Sequence, residues 1–551
     1  MRQTKDKFAL LRALQLIYRC DRRSFVMKVF YVTLLSLLPL VNLYVLKYMI
    51  DGITDMLTQG SATGSLGGMV YYVALFCGIF FLTRLVNVLN TVNNDILTQK
   101  LIDYINNLIQ NQSVRLDMAY YDNPDYHDTF HRAQQEAAFR PVRILENFVS
   151  AFGAAISLVG IVAMLCTTSW KVIVVMVLAV MPAFFVKLYK SRRIYRFRRE
   201  TTQQARRSQY YGTLLSNRTY AQEVRSFGLQ EHFRKLYVDI RHTLVDALFR
   251  ISKRLAVYDA ITALIETAAL FFIIVILLRP ALAGTITIGS FVMLFEAFRR
   301  GQTYMQSLVG GISGLYEHKL FVGNLYEFLA LEPNITSPVS PKPFPKEVSS
   351  VEYRNVSFAY PNMNTLVLDH FCFTARKGEV ARLQGENGYG KTTALKLLLR
   401  LYDPVEGSIL INGIDIREFD LKELRRGVSA IFQDHVRFYF TAKENVEFGD
   451  LSHRDDPERL DMALTVSEAK PVVAHLSKGV DTSLGRMFDH GEELSMGQWQ
   501  RIALARQLYG NAPILVFDEP TAWMDVQARE NFFRHLDQIK RDHVVILIAH
   551  I

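Results

Sequence analysis

Before residue 330 the chain carries several runs of about 20 mostly apolar residues, the length a helix needs to cross a hydrocarbon core of about 30 Å. They are read at Phe25–Ile50, Met69–Leu89, Phe148–Cys166, Val172–Leu188 and Leu255–Leu278. A sixth begins near Ile288 and is interrupted by Glu296, Arg299 and Arg300. It is expected to span as well, because an odd number of crossings would place the C-terminal part on the opposite side from the basic loops. Hydrophobic residues make up 50% of the chain, and the excess lies in these runs. The expectation is therefore an all-α six-helix transmembrane domain over residues 1–330.

Loop charge sets the orientation. Asp51–Gly68 holds no Lys or Arg and is read as external, whereas Tyr189–Arg254 is rich in arginine and is read as cytoplasmic. Both termini are then cytoplasmic. The net charge of +10 follows from basic residues flanking the apolar runs, so a nucleic-acid partner is not expected. Met1–Arg23 mixes charge with Phe8, Leu11, Leu14 and Ile17, and reads as an amphipathic interfacial helix rather than a signal peptide. The four cysteines, Cys20, Cys77, Cys166 and Cys372, form no metal-binding or disulfide pattern. Asn90–Arg143 and Tyr189–Arg254 are longer than a turn requires, and read as cytoplasmic helix extensions whose tips, Tyr120–Arg132 and Arg218–Phe227, form short crossing helices.

Residues 331–349 contain Pro333, Pro338, Pro341, Pro343 and Pro345 and read as an extended linker. From 350 to 551 short β-rich runs alternate with helical ones, the pattern of a parallel sheet with helices in an α/β P-loop nucleotide-binding domain. The segment Gly385-Glu-Asn-Gly-Tyr-Gly-Lys-Thr-Thr393 fits GxxxxGK[ST], with a strand-like Glu379–Leu383 before it and a helical Ala394–Leu401 after it. Glycines let backbone N–H groups wrap phosphate oxygens, and the helix N-terminus adds partial positive charge. Gly385, Glu386, Asn387, Gly388, Tyr389, Gly390, Lys391, Thr392 and Thr393 are thus candidate ATP-binding residues, Lys391 as the point charge and Thr392 as a magnesium ligand. Ile514-Leu-Val-Phe-Asp-Glu519 is an apolar strand ending in two carboxylates. Asp518 is assigned to the magnesium ion and Glu519 to the attacking water.

These motifs resemble the ATP-binding cassette transporters, in particular half-transporters of the exporter type with six membrane helices fused ahead of one nucleotide-binding domain. Leu494-Ser-Met-Gly-Gln498 is similar to the family's LSGGQ signature. The resemblance implies that Tyr360, in SFAYP, stacks on adenine and that Gln433, in IFQD, touches magnesium. It places Asp525, in PTAWMD, at the dimer interface and His550 on the γ-phosphate as a second catalytic residue. It also implies a homodimer or heterodimer in which Ser495, Met496, Gly497 and Gln498 complete the partner's ATP site.

The sequence departs from the family pattern in places. Met496 stands where the family has glycine, which weakens the expected grip on the partner's nucleotide. Arg382 and Gln384 occupy a strand that is usually apolar, so a partner or local exposure is expected there. The sequence ends one residue after His550, where the family continues, so an incomplete sheet is expected. With Lys391, Asp518 and Glu519 present, an active ATPase is favoured over a degenerate sister subunit, and an importer or lipid flippase remains an alternative. Leu484-Gly-Arg-Met-Phe488 and Gly497-Gln-Trp-Gln-Arg501 resemble lantibiotic-type peptide exporters more than multidrug pumps. No cysteine-protease segment precedes the first span, so leader cleavage is not expected. Glu266 and Glu296 lie at membrane depth and suit a cationic substrate, unless Glu296 is engaged by Arg300 one turn away.

Overall fold

The computed structural model describes the chain apart from residues 1–8, 60–65, 124–129, 131–139, 167–169, 362, 364, 387, 522–523, 525 and 550–551. It divides into two compact units. The first comprises Met1–Gln112 with Phe130–Ala330, and the second Ser113–Thr129 with Leu331–Ile551.

The first unit is helical. After α1 (Ala9–Cys20) come the long helices α2 (Arg22–Gln59) and α3 (Leu66–Arg115), the latter leading into α4 (Met118–Tyr121) of the second unit. Then follow α5 (Arg140–Cys166), α6 (Trp170–Glu200), α7 (Thr202–Ser216), α8 (Arg218–Ser226), α9 (Gln230–Leu282) and α10 (Ile288–Leu329). Among the described residues five helices are long and apolar enough to cross a membrane: α2, α3, α5, α6 and α9. The expected sixth, α10, is 42 residues long but falls short on hydropathy.

Packing accounts for its composition. Met293, Leu294, Ala297 and Phe298 are buried against Ile161, Met176 and Ile273, so α10 faces protein with its apolar side. Glu296 is engaged by Arg299 Nη2 at 2.9 Å, closer than Arg300 Nε at 3.8 Å. Arg300 also donates to Pro39 O at 3.3 Å. Close approach to α5 requires glycine: a Cβ on Gly311 would meet Asn147 O at 2.6 Å. At the other end, Thr287 caps α10 through Ser290 N, and Asp51 on α2 accepts from Gly289 N at 2.8 Å and Thr287 Oγ1 at 2.9 Å.

Of the two short helices expected at the loop tips, the second is found as α8. The helix at Arg218–Ser226 matches the expected segment, capped by Asn217 accepting from Thr219 N. In the other expected segment, Tyr120–Arg132, Tyr120 and Tyr121 close the four-residue α4, and most of the rest lies outside the described residues.

In the second unit, β1 (Ser350–Phe358), β2 (Leu368–Arg376), β4 (Glu406–Ile411) and β5 (Ile414–Asp415) form an antiparallel sheet in the order β2-β1-β4-β5. The expected parallel sheet is also present, built from β3 (Val380–Gln384), β6 (Val428–Ile431), β7 (Ile514–Asp518) and β8 (Val544–Ala549) in the order β3-β8-β7-β6. All five β7 residues are buried, as a central parallel strand requires. Strand β3 has one described neighbour, β8, and its Arg382 and Gln384 are exposed, which resolves the expected cost of charge in that strand. The proline-rich segment is laid along the unit: Arg400 donates to Thr336 O at 3.2 Å, Leu421 N to Ser337 Oγ at 2.9 Å, and Phe344 packs on Phe419.

Candidate functional site

Parallel strands point their C-terminal ends to one edge, and ligands bind there in open α/β sheets. The loop from Gly385 to Gly390 leaves the end of β3 and enters α11 (Lys391–Leu398). Gly388 and Gly390 have φ of 90° and 76°, which L side chains rarely adopt. At Gly390 there is also no space, since a Cβ would meet Leu368 Cδ2 at 2.7 Å and Val367 O at 2.9 Å. The loop thereby turns its backbone in the way a phosphate cradle needs. The Lys391 ammonium lies over it, donating to Gly385 O and, at 3.5 Å, to Glu386 O.

Strand β7 brings in the carboxylates. Thr392 Oγ1 donates to Asp518 Oδ2 at 2.9 Å, joining the start of α11 to the end of β7. Gln433 Nε2 donates to Glu519 Oε2 at 3.3 Å. Asp518 is 3% exposed, so its charge depends on local partners. Glu519 has φ of 50°, a left-handed conformation that its surroundings must enforce. Two bonds do so: Glu519 N donates to Ile548 O at 3.0 Å, and Glu519 O accepts from Gln500 Nε2 at 3.0 Å.

Tyr360 follows β1 and bonds through its hydroxyl with Thr393 Oγ1 at 3.0 Å. The Lys396 ammonium sits 5.1 Å from its ring centroid, and Phe358 and Tyr402 pack edge-on against it. Tyr360 is half-buried, and Tyr389 on the loop is 68% exposed.

The signature-like segment opens a helix, here α16 because α12 (Leu421–Gly427), α13 (Ala442–Glu447), α14 (Pro457–Val466) and α15 (Lys470–Ala474) intervene. Ser495 caps α16 (Met496–Tyr509) in a capping box with Gln498: Ser495 N donates to Gln498 Oε1 at 2.8 Å and Ser495 Oγ accepts from Gln498 N at 3.4 Å. Met496 is 44% exposed at the first helical position, with Arg437 Nη2 lying 2.9 Å from its Sδ. Exposed backbone N–H groups and a helix dipole make this end suitable for an anion.

Several residues that tie these parts together were not read from the sequence. Gln500, 5% exposed, links α16 to the carbonyl of Glu519. Gln507 donates to Ser429 O at 3.0 Å and Val516 O at 2.8 Å, fixing α16 to β6 and β7. Arg506 donates to Asn445 O at 2.8 Å and Asn445 Oδ1 at 2.9 Å, and lies over the Phe438 ring at 4.6 Å. Burial pushes its guanidinium down to about 10, still charged at neutral pH. His435 is also pushed down, first by burial and then by Arg437 and Arg506, so the segment after Gln433 carries a neutral imidazole. Apolar-looking helical spacing conceals such polar anchors, because only the fold shows which carbonyls they reach. Asn387, Asp525 and His550 lie outside the described residues.

Comparison with known proteins adds to this geometry. Residues 25–301 match the family described as ABC transporter transmembrane region, and residues 368–522 the family described as ABC transporter. The subtilin transport ATP-binding protein SpaT of Bacillus subtilis is 28% identical over 98% of this chain and 87% of its own length. The nisin transport ATP-binding protein NisT of Lactococcus lactis subsp. lactis is 23% identical over 98% of this chain and 88% of its own. The ATP-dependent lipid A-core flippase of Pseudomonas fluorescens is 29% identical over 74% of this chain and 68% of its own. The solved structure of a bacterial Atm1-family ABC exporter with ATP bound superposes with a TM-score of 0.80 at 20% identity, covering 96% of this chain and 91% of that one.

Proposed function

Because this chain belongs to the ABC transporters, with the family's transmembrane region and ATP-binding domain in one polypeptide, we propose that it works as one half of a dimer that exports a peptide at the cost of ATP hydrolysis. The observation that carries this reading is the meeting of Thr392, Asp518, Gln433 and Glu519 beside the phosphate loop.

In this reading residues 1–330 form the transmembrane domain, 331–349 the linker and 350–551 the ATP-binding cassette. Both termini and the basic loops face the cytoplasm. Gly385–Thr393 wraps the phosphates, Lys391 neutralises the outer ones and Tyr360 stacks on adenine. The oxygens of Thr392 and Asp518, 2.9 Å apart, are a hard donor set of the kind Mg2+ takes, and Gln433, whose amide bonds the neighbouring Glu519, would be a third ligand. When bound, the ion neutralises charge on the phosphates. Glu519 orients and polarises the water that attacks, and its pinned backbone holds the carboxylate in one place. Ser495, Met496, Gly497 and Gln498 complete the partner's site, Asp525 crosses the interface and His550 contacts the γ-phosphate. Closure of two cassettes on shared nucleotide supplies the differential affinity that a transport cycle needs.

A peptide substrate is supported by the SpaT and NisT matches, whose names record subtilin and nisin transport and which run along 98% of the chain. Glu266, held by the neutral amide of Gln306 at 2.9 and 3.0 Å, supplies a carboxylate within the membrane unit for a cationic cargo, whereas Glu296 is already paired with Arg299 and Arg300. ATP-dependent uptake of a labelled cationic peptide into inside-out vesicles tests the proposal. Uptake that vanishes in Glu519→Gln supports it. ATPase activity stimulated by lipid A-type glycolipids, with no peptide uptake, would establish the flippase alternative instead.

A further inference from the structure

Helices α6 and α9 pack against each other and enclose a cavity of about 800 Å³ at their cytoplasmic continuation. Its wall carries five guanidinium groups, from Arg192, Arg193, Arg196, Arg250 and Arg254, against one carboxylate, Glu200. None of the five forms an ion pair among the described residues. The nearby acid Asp259 is already engaged by Lys190 at 2.8 Å. Like charges gathered in a concave wall repel one another and focus an attraction for anions.

The residues leading into the cavity define the rest of the ligand. On α6, Leu178, Met181, Phe185 and Tyr189 follow at helical spacing and are 66, 48, 61 and 54% exposed, and Arg192 and Arg196 continue the same face. On α9 the order runs the other way in sequence but the same way in space, from Leu264 and Ile261 through Tyr258 to Arg254 and Arg250. Tyr189 and Tyr258 meet edge to face with centroids 6.1 Å apart, between the apolar and cationic parts of both helices. Tyrosine at that level marks the boundary between hydrocarbon and headgroups. The apolar span on α6 ends at Ile194, at the same level as the first arginines.

We propose that this cavity binds the phosphate-bearing headgroup of an anionic phospholipid, its acyl chains lying along the exposed apolar faces of α6 and α9 above the tyrosine pair. Guanidinium forks match phosphate oxygens in bidentate geometry, and basic sites between membrane helices on the cytoplasmic side take anionic headgroups. A cationic peptide is disfavoured there by the same charge, which separates this site from the Glu266 carboxylate proposed for the cargo. The inference does not rest on the identity of the transported substrate.

Native mass spectrometry of the full-length protein, with phosphatidylglycerol and phosphatidylcholine as probes, tests it. Phosphatidylglycerol adducts are expected to survive collisional activation that strips phosphatidylcholine, by a several-fold margin. The combined R192Q, R196Q and R250Q variant is expected to lose that margin, and the corresponding lysine variant to keep most of it. Equal retention of the two lipids by wild type, or an unchanged preference in the glutamine variant, overturns the proposal. So does displacement of phosphatidylglycerol by excess inorganic phosphate, which would assign the cavity to a free anion. Should the glutamine variant fail to fold, photoactivatable phosphatidylglycerol on the wild type decides: labelling of peptides around Tyr189–Arg196 and Arg250–Tyr258 supports the site, and labelling confined to other peptides refutes it.

Discussion

Gln433 Nε2 lies 3.3 Å from Glu519 Oε2, an amide donating to a carboxylate that sits at the end of a fully buried strand. An amide at position 519 keeps the shape of that pair but cannot accept a proton from water. Glu519→Gln is therefore expected to fold and bind ATP as the wild type does, with hydrolysis reduced about 10²-fold or more. Phosphate release and equilibrium binding of labelled nucleotide, measured on the same preparation, check this. Equal loss of binding and turnover would move Glu519 from catalysis to binding.

The hydroxyl of Thr392 is read as a metal ligand from its 2.9 Å bond to Asp518. Thr392→Ser retains the oxygen and is expected to stay within a few-fold of wild-type turnover. Thr392→Val keeps the shape and loses the oxygen, so the Mg2+ concentration needed for half-maximal ATPase should rise by about tenfold or more, one lost ligand of a hard cation. A Mg2+ titration of ATPase activity separates the two variants. Identical titrations would assign Thr392 to packing.

Gln500 acts from a distance on the same carboxylate. Its amide holds Glu519 O at 3.0 Å while Ile548 O holds Glu519 N, and together they keep a non-glycine residue at φ of 50°. Gln500→Leu leaves a carbonyl without that donor and is expected to cost about 1–3 kcal/mol of stability. Hydrolysis should fall with KM for ATP little changed, since the phosphate loop is untouched. Thermal unfolding and steady-state kinetics test both parts. A drop in affinity alone would contradict this positioning role.

How far the sequence announces this site depends on what each residue needs. The phosphate loop is legible because phosphate binding demands glycine at fixed spacing, and Gly388 and Gly390 do take positive φ. Asp518 and Glu519 are legible because two adjacent carboxylates closing an apolar run mark the C-terminal end of a strand, where Thr392 and Gln433 meet them. Gln500, Gln507 and Arg506 are not, since their partners are backbone carbonyls far away in sequence. The antiparallel sheet escaped notice for a related reason: β1 pairs with β2 and β4 through registers containing bulges, which blur period-two alternation. Helix α10 shows the opposite effect, its charges masking an apolar face that the other helices cover.

Tyr402 donates its hydroxyl to Asp122, and burial first, then that carboxylate, pushes the phenol's pKa up, so it stays a donor at all working pH values. Asp122 belongs to the segment that follows α3, and Tyr402 is 4% exposed beside Phe358 and Tyr360. Tyr402→Phe retains those ring contacts and removes one hydrogen bond, a loss of about 1 kcal/mol. Vesicle uptake per ATP hydrolysed is expected to fall while nucleotide affinity holds, because the bond ties the segment that follows α3 to the rest of the second unit. An unchanged transport-to-hydrolysis ratio would show that the bond is structural only.

Asp21 stands between α1 and α2 and accepts from Ser24 N at 3.1 Å, the role of a helix cap. The bond from Lys100 Nζ, with those from Ser24, holds its carboxyl at about 2, below the ordinary 3.8. A depressed carboxylate contributes stability that is fully present above the ordinary value and lost as pH falls through the folded one. Acidifying the detergent-solubilised protein from pH 4 toward about 2 should therefore lower the wild-type unfolding temperature by more than that of Asp21→Asn, which lacks the charge throughout. Raising ionic strength at neutral pH should narrow the difference between them, because the Lys100 side chain is 54% exposed and the pair is screened. Parallel acid profiles for the two proteins would show that Lys100 and Asp21 are adjacent without being coupled.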